Sequence, residues 1–202
     1  MTKIKICGLS RPCDIDYVNE AKPDYCGFIV NFPKSRRTVS PDTLRELRKY
    51  LSRSILPVGV FVNEPLETIL SLARDNSISL VQLHGQEDEA YIAALRREID
   101  LPIIQAFKIT CPADVELAQK CTADHILLDS GAGTGKTFDW AHLKGVTRPY
   151  LLAGGLGPDN LRLAVETLRP YGVDLSSGVE TDGVKDREKV LAAVQAVRAR
   201  GI

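Results

Sequence analysis

The 202-residue sequence predicts a single-domain (β/α)8 barrel spanning residues 1–202, and three observations predict it. A short apolar run, a turn and then a stretch of helical spacing recur eight times along the chain. Strands that alternate with helices form parallel sheets joined by crossovers, and eight such units close into a barrel. The irregular, Gly/Ser-rich segments also fall on one side only, after the strands, whereas the opposite connections are short, as in Ala21-Lys22-Pro23-Asp24. Barrels of this kind carry their chemistry on the rim where strands end.

In order, the strand candidates are Ile4–Cys7, Tyr25–Val30, Leu56–Val62, Leu80–Leu83, Ile103–Phe107, His125–Leu128, Tyr150–Ala153 and Val173–Leu175. Each is a short apolar run bounded by turn residues, as expected of strands covered on both faces. Between them lie stretches of helical period, such as Leu66, Ile69, Leu70 and Ala73, or Val190, Ala193, Val194 and Val197. The irregular segments Asn31–Val39, Asp129–Asp139, Gly154–Pro158 and Ser176–Val184 all follow strands. At about 25 residues per unit, close to the minimum for this architecture, little room is left for insertions, and neither a lid nor a second domain is expected.

Composition narrows the function classes. Lys plus Arg and Asp plus Glu both total 26, so no global field favours nucleic acid or an anionic membrane. No signal-peptide pattern precedes the first strand, and no apolar run approaches membrane-spanning length. Cys7, Cys13, Cys26, Cys111 and Cys121 form no CxxC pair and no even set. Neither a disulfide framework nor a zinc site is expected, and a reducing cytoplasm fits best.

Gly131-Ala132-Gly133-Thr134-Gly135-Lys136-Thr137 imitates a nucleotide-binding P-loop. The motif requires glycine where Ser130 stands, and it must open directly into a long helix. Phe138-Asp139-Trp140 and a short stretch to Gly145 follow instead, so an ATP or GTP site is not expected. Stronger phosphate candidates end strands seven and eight: Gly154 and Gly155, then Ser176, Ser177 and Gly178. Barrels frequently bind phosphate with the loops after these two strands. Exposed backbone N–H groups suit a dianion without lysines.

Alternation places Lys3, Lys5 and Cys7 on the inward face of strand one, with Ile4 and Ile6 outward. Buried Lys5 requires a counter-ion, and Asp174 on the neighbouring strand eight is the natural partner. An ammonium beside Cys7 is expected to lower the thiol pKa and favour a base or nucleophile; the alternative is a structural cysteine. Asp129 ends strand six at the same rim, as a general acid or as a cap for the loop that follows. A proton donor and an acceptor facing each other across a barrel mouth suit an isomerisation. Arg37, in the loop Pro33-Lys34-Ser35-Arg36-Arg37, offers a fork for a carboxylate, with Lys34 and Arg36 read as solvated. His84 shares the inward face of strand four with Gln82 and is expected as a buried, hydrogen-bonded side chain lining the pocket.

Several segments recur, in order, in a known family: Lys5-Ile6-Cys7-Gly8, Gly27-Phe28, Pro33-x-Ser35-x-Arg37, Val58–Asn63, Val81-Gln82-Leu83-His84-Gly85, Leu128-Asp129, Gly133–Trp140, Ala153-Gly154-Gly155-Leu156 and Val173–Glu180. Across nearly its whole length the sequence resembles the phosphoribosylanthranilate isomerases of tryptophan biosynthesis. The resemblance implies an Amadori rearrangement of a phosphorylated small molecule without cofactor or metal. It implies Asp129 as general acid, Cys7 as general base, Arg37 against the anthranilate carboxylate, and the Gly154-Gly155 and Ser176–Gly178 turns as the phosphate site. One departure is an additional residue between Gly27 and Pro33, with Val30-Asn31-Phe32 in place of an aromatic pair. Two other phosphate barrels lack support here: an epimerase wants paired aspartates and metal-binding histidines, an indole-glycerol-phosphate synthase a lysine acid and a glutamate base. A non-catalytic sugar-phosphate sensor would keep the turns without needing Cys7 and Asp129. The sequence is compatible with a monomer or a homodimer.

Overall fold

A computed structural model of the chain describes residues 1–129, 140–143 and 145–199. Eight parallel strands form the central sheet: β1 (Lys3–Cys7), β2 (Tyr25–Val30), β3 (Leu56–Phe61), β4 (Leu80–Leu83), β5 (Ile103–Lys108), β6 (His125–Asp129), β7 (Tyr150–Ala153) and β8 (Gly172–Leu175). Each pairs with its sequence neighbours, and β1 pairs with both β2 and β8, so the sheet closes into the expected barrel. Strand limits agree with the sequence reading to within one residue. Asp129 belongs to β6 rather than following it, paired across to Lys108 and Ala153.

Helices α1 (Pro12–Ala21), α2 (Pro41–Tyr50), α3 (Leu66–Arg74), α4 (Glu89–Arg96), α5 (Pro112–Lys120), α6 (Pro158–Leu168) and α7 (Arg187–Arg198) surround the barrel. Their starts are written in the sequence. Ser40, Asp88 and Asp186 accept hydrogen bonds from the backbone N–H groups of Thr43, Tyr91 and Lys189. Proline occupies the first helical position of α1, α2, α5 and α6, where its missing N–H costs nothing. The expected eighth helical unit is not an α-helix among the described residues: a single 3-10 turn, Trp140–Leu143, lies between β6 and β7. No helix among the described residues is long and apolar enough to cross a membrane.

Side-chain alternation divides the apolar residues into two cores. Ile4, Ile6, Phe28, Val81, Leu83 and Ile126 face outward into the shell under the helices. Tyr25, Val58, Val60, Leu80, Ile104, Leu127 and Leu151 fill the barrel with Cys7 and Ala153 above them. At the barrel floor the Tyr25 and Tyr171 hydroxyls are 3.1 Å apart, and the His125 ring stacks on Tyr171. Higher up lies a polar layer of Lys5, Gln82 and Asp174, all buried.

Two of the segments read as irregular contain regular structure. Thr38–Val39 pairs in parallel with β2. After β8 the chain makes a 3-10 turn, Ser177–Val179, then a hairpin that pairs Glu180 with Lys185 and Thr181 with Val184. Asp182 and Gly183, at φ 51° and 82°, form its two-residue turn. Asp-Gly supplies the left-handed pair that such a turn requires.

Candidate active site

A cavity of about 360 Å³ opens at the C-terminal rim, lined by Cys7, Arg37, His84, Asp129, Gly154, Gly155, Asp174, Ser176 and Ser177 among others. Of the residues singled out from the sequence, Lys5 and Gly178 do not line it. Gly178 faces an adjoining cavity, which shares Gly155 and Ser177 with the first. Apolar walls come from Ile29, Phe32, Val60 and Val62. The site is thus a cleft with an apolar side toward β2 and β3 and backbone turns toward β7 and β8.

Cys7 ends β1 on the inward face and is almost wholly buried. Its sulfur and the Lys5 ammonium both occupy space left by Gly27 of β2: a Cβ there would stand 2.7 Å from Cys7 Sγ and 3.0 Å from Lys5 Nζ. Lys5 Nζ donates to Asp174 Oδ2 at 2.9 Å, the pairing anticipated from neighbouring strands. Burial works against the Lys5 charge, but Asp174 and then Cys7 hold its pKa above the ordinary lysine value, so it stays protonated. Burial pushes Asp174 upward against the pull of Lys5, and its second oxygen, Oδ1, has no hydrogen-bond partner among the described residues.

The expected low thiol pKa is corrected. Burial pushes the Cys7 thiol up, and this outweighs the downward pull of Lys5 and Lys185. Removal from water disfavours the thiolate more than one ammonium favours it, especially an ammonium already neutralised by a carboxylate. The resulting thiolate is scarcer but more basic.

Asp129 ends β6, partly exposed, with Oδ2 3.6 Å from His84 Nε2. His84 is not the buried side chain expected: it lies one residue beyond β4, and 37% of the side chain is exposed. It is hydrogen-bonded as anticipated, with Gln82 Nε2 2.9 Å from Nδ1. With that amide nitrogen donating, Nδ1 is the acceptor and the ring proton sits on Nε2, toward Asp129.

Arg37, not Arg36, lines the cavity. Its Nε and Nη2 donate to Glu180 Oε1 and Oε2 at 2.6 and 2.7 Å, so one edge of the fork is already occupied. Nη1 has no partner among the described residues. Arg36 is 59% exposed yet also pairs with Glu180, at 2.9 Å, and is not the purely solvated residue expected. In the segment before Pro33, Asn31 has a φ of 51° and its side-chain amide donates to Glu64.

At the turns, Gly154 and Gly155 have φ of 90° and 64°. Asn160, at the start of α6, holds this turn by donating to the Gly155 carbonyl and accepting from the Gly157 N–H. A Cβ on Gly178 would overlap the Leu156 carbonyl, so the two turns touch backbone to backbone. The Ser176 hydroxyl donates to the Cys7 carbonyl at 3.1 Å. The P-loop-like segment Gly131–Thr137 lies outside the described residues.

Sequence reasoning missed Glu180 and Lys185, both buried. The signal that finds them is the Asp182-Gly183 pair, which predicts a hairpin and so sets these two side chains opposite each other.

Residues 4–196 match the family model for N-(5'-phosphoribosyl)anthranilate (PRA) isomerase. A relative of that name from Endomicrobium trichonymphae is 45% identical over 204 residues, covering 98% of this chain and all of its own. One from Lactiplantibacillus plantarum is 42% identical over all of this chain and 95% of its own. The crystal structure of the Thermotoga maritima enzyme superposes with a TM-score of 0.89 at 35% identity, over 99% of this chain and all of that one. A second solved isomerase, in complex with reduced 1-(o-carboxyphenylamino)-1-deoxyribulose 5-phosphate, gives 0.86 at 34% identity over the same shares. The chain belongs to the phosphoribosylanthranilate isomerase family.

Proposed function

We propose that this chain converts N-(5′-phosphoribosyl)anthranilate into 1-(2-carboxyphenylamino)-1-deoxyribulose 5-phosphate, an Amadori rearrangement, with Asp129 as general acid and Cys7 as general base. The carrying observation is that Cys7 and Asp129, from β1 and β6, line one cavity with Arg37 and both phosphate turns. Protonated Asp129 gives its proton to the ribose ring oxygen. The C1′–O bond breaks as the anthranilate nitrogen lone pair moves in, leaving an iminium. The Cys7 thiolate then takes the C2′ proton, and the freed electron pair neutralises the iminium to an enolamine. Tautomerisation to the C2′ ketone completes an isomerisation in which no electrons are gained or lost.

Several features support this division of labour. A buried thiol with a raised pKa is a strong base once ionised, and the iminium makes C2′–H acidic enough to meet it. His84 Nε2–H stands where it stabilises the Asp129 carboxylate left after proton transfer. Arg37 takes the anthranilate carboxylate with its uncommitted edge, and Asp174 Oδ1 accepts from a substrate hydroxyl or N–H. Phosphate rests on the backbone at Gly154, Gly155, Ser177 and Gly178, beside the Ser176 turn. The working unit is one barrel domain, as monomer or homodimer.

The test is direct. Purified protein given freshly formed phosphoribosylanthranilate should abolish its anthranilate-type fluorescence without added metal or cofactor. Unchanged fluorescence with a folded protein would refute the proposal.

A further inference from the structure

We propose that Glu180 is the positioning residue for Arg37, holding its guanidinium in the carboxylate-binding pose before substrate arrives; this rests on the proposed role of Arg37. Glu180 is almost wholly buried and gathers three cations. Its two oxygens take Arg37 Nε and Nη2 in a parallel two-point contact, which fixes both the direction and the plane of the guanidinium. A carboxylate held at two points turns a flexible side chain into a preset one, and the edge left over carries Nη1. Less ordering then remains for the ligand to impose, which favours binding.

Glu180 is in turn fixed from behind. Lys185, across the hairpin, donates to Glu180 Oε1 at 2.5 Å and to the Ser176 carbonyl at 3.1 Å. Ser176 reaches the Cys7 carbonyl. One buried carboxylate therefore ties the loop that carries Arg37 to the turn after β8 and to the end of β1. The hairpin places it there: Asp182-Gly183 turns the chain so that Lys185 lies opposite Glu180. Arg36, exposed on the same carboxylate, adds charge without lining the cavity.

This assignment separates recognition of the carboxylate from recognition of the phosphate, and the test exploits that. Calorimetry would measure two ligands, reduced 1-(o-carboxyphenylamino)-1-deoxyribulose 5-phosphate and its counterpart lacking the ring carboxylate. The wild type should prefer the first. Glu180→Gln, checked for folding by circular dichroism, should weaken the first ligand by roughly tenfold or more, the scale of a charge-assisted hydrogen bond, and leave the second within about twofold of wild type, a negligible difference on that scale. Glu180→Asp, which keeps the charge on a shorter arm, should fall between them and serves if the glutamine variant does not fold. Equal losses for both ligands, or an unchanged preference in a folded variant, would overturn the proposal. Failure of the wild type to prefer the carboxylate would instead remove the role of Arg37 on which it rests.

Discussion

Lys5 Nζ lies 2.9 Å from Asp174 Oδ2 in the buried middle of the barrel, and β1 and β8 pair these two residues side by side. The ion pair is a direct consequence of closing the sheet. Two inward charges that would each be prohibitive alone become neighbours only because the last strand meets the first. Directly above them sits Cys7, so the pair that neutralises itself also sets the field in which the thiol ionises.

Lys5→Met tests the structural half of this arrangement. Removing one partner leaves a buried carboxylate uncompensated, which costs about 3–5 kcal/mol. Urea denaturation should show that loss, and the pH at which turnover rises should move upward because the pull of Lys5 on the thiol is gone. A loss below about 1 kcal/mol would contradict an ion pair and indicate a neutral Asp174.

Glu180 should leave a signature in acid stability. Although burial raises its pKa, the hydrogen bonds from Arg37 and Lys185 win and lower it to about 2. A carboxylate depressed in the fold contributes stability above its unfolded pKa of about 4.3 that disappears as pH falls through the folded value. The wild type should therefore lose stability between roughly pH 4.5 and 2 more steeply than Glu180→Gln. Parallel plots of Tm against pH for the two proteins would show that Glu180 is not the coupled group.

Gly178→Ala addresses the proposed phosphate site. The added methyl meets the Leu156 carbonyl, and neither backbone turn can yield without moving the other. Overpacking of this kind costs roughly 1–3 kcal/mol. Competitive inhibition by inorganic phosphate should weaken by about tenfold, equivalent to about 1.4 kcal/mol. Undiminished inhibition would show that the contact between the turns does not shape the anion site.

Much of the fold was legible because parallel strands buried on both faces read as plain apolar runs, and alternation in Lys5-Ile6-Cys7 assigned the inward face without further information. The Lys5–Asp174 pair followed from closure alone. What the sequence hid was balance. The direction of the Cys7 shift depends on whether burial or Lys5 dominates, and that requires the packing around Gly27. His84 was misjudged because one residue past the end of β4 is enough to bring a side chain from the core to the rim. Glu180 escaped because its importance comes from Arg37, more than a hundred positions away.

The central claim is a division of labour between two residues on opposite strands, and one comparison tests it most directly. Cys7→Ser and Asp129→Asn should each be measured for turnover and for affinity toward reduced 1-(o-carboxyphenylamino)-1-deoxyribulose 5-phosphate. Turnover should fall by roughly 10²-fold or more in each, as for loss of a general base or acid. Affinity should stay near wild type in both, because the proposed holds on carboxylate and phosphate are Arg37 and the backbone turns. Near-normal turnover in Cys7→Ser, or affinity in Asp129→Asn falling in proportion to rate, would contradict the account.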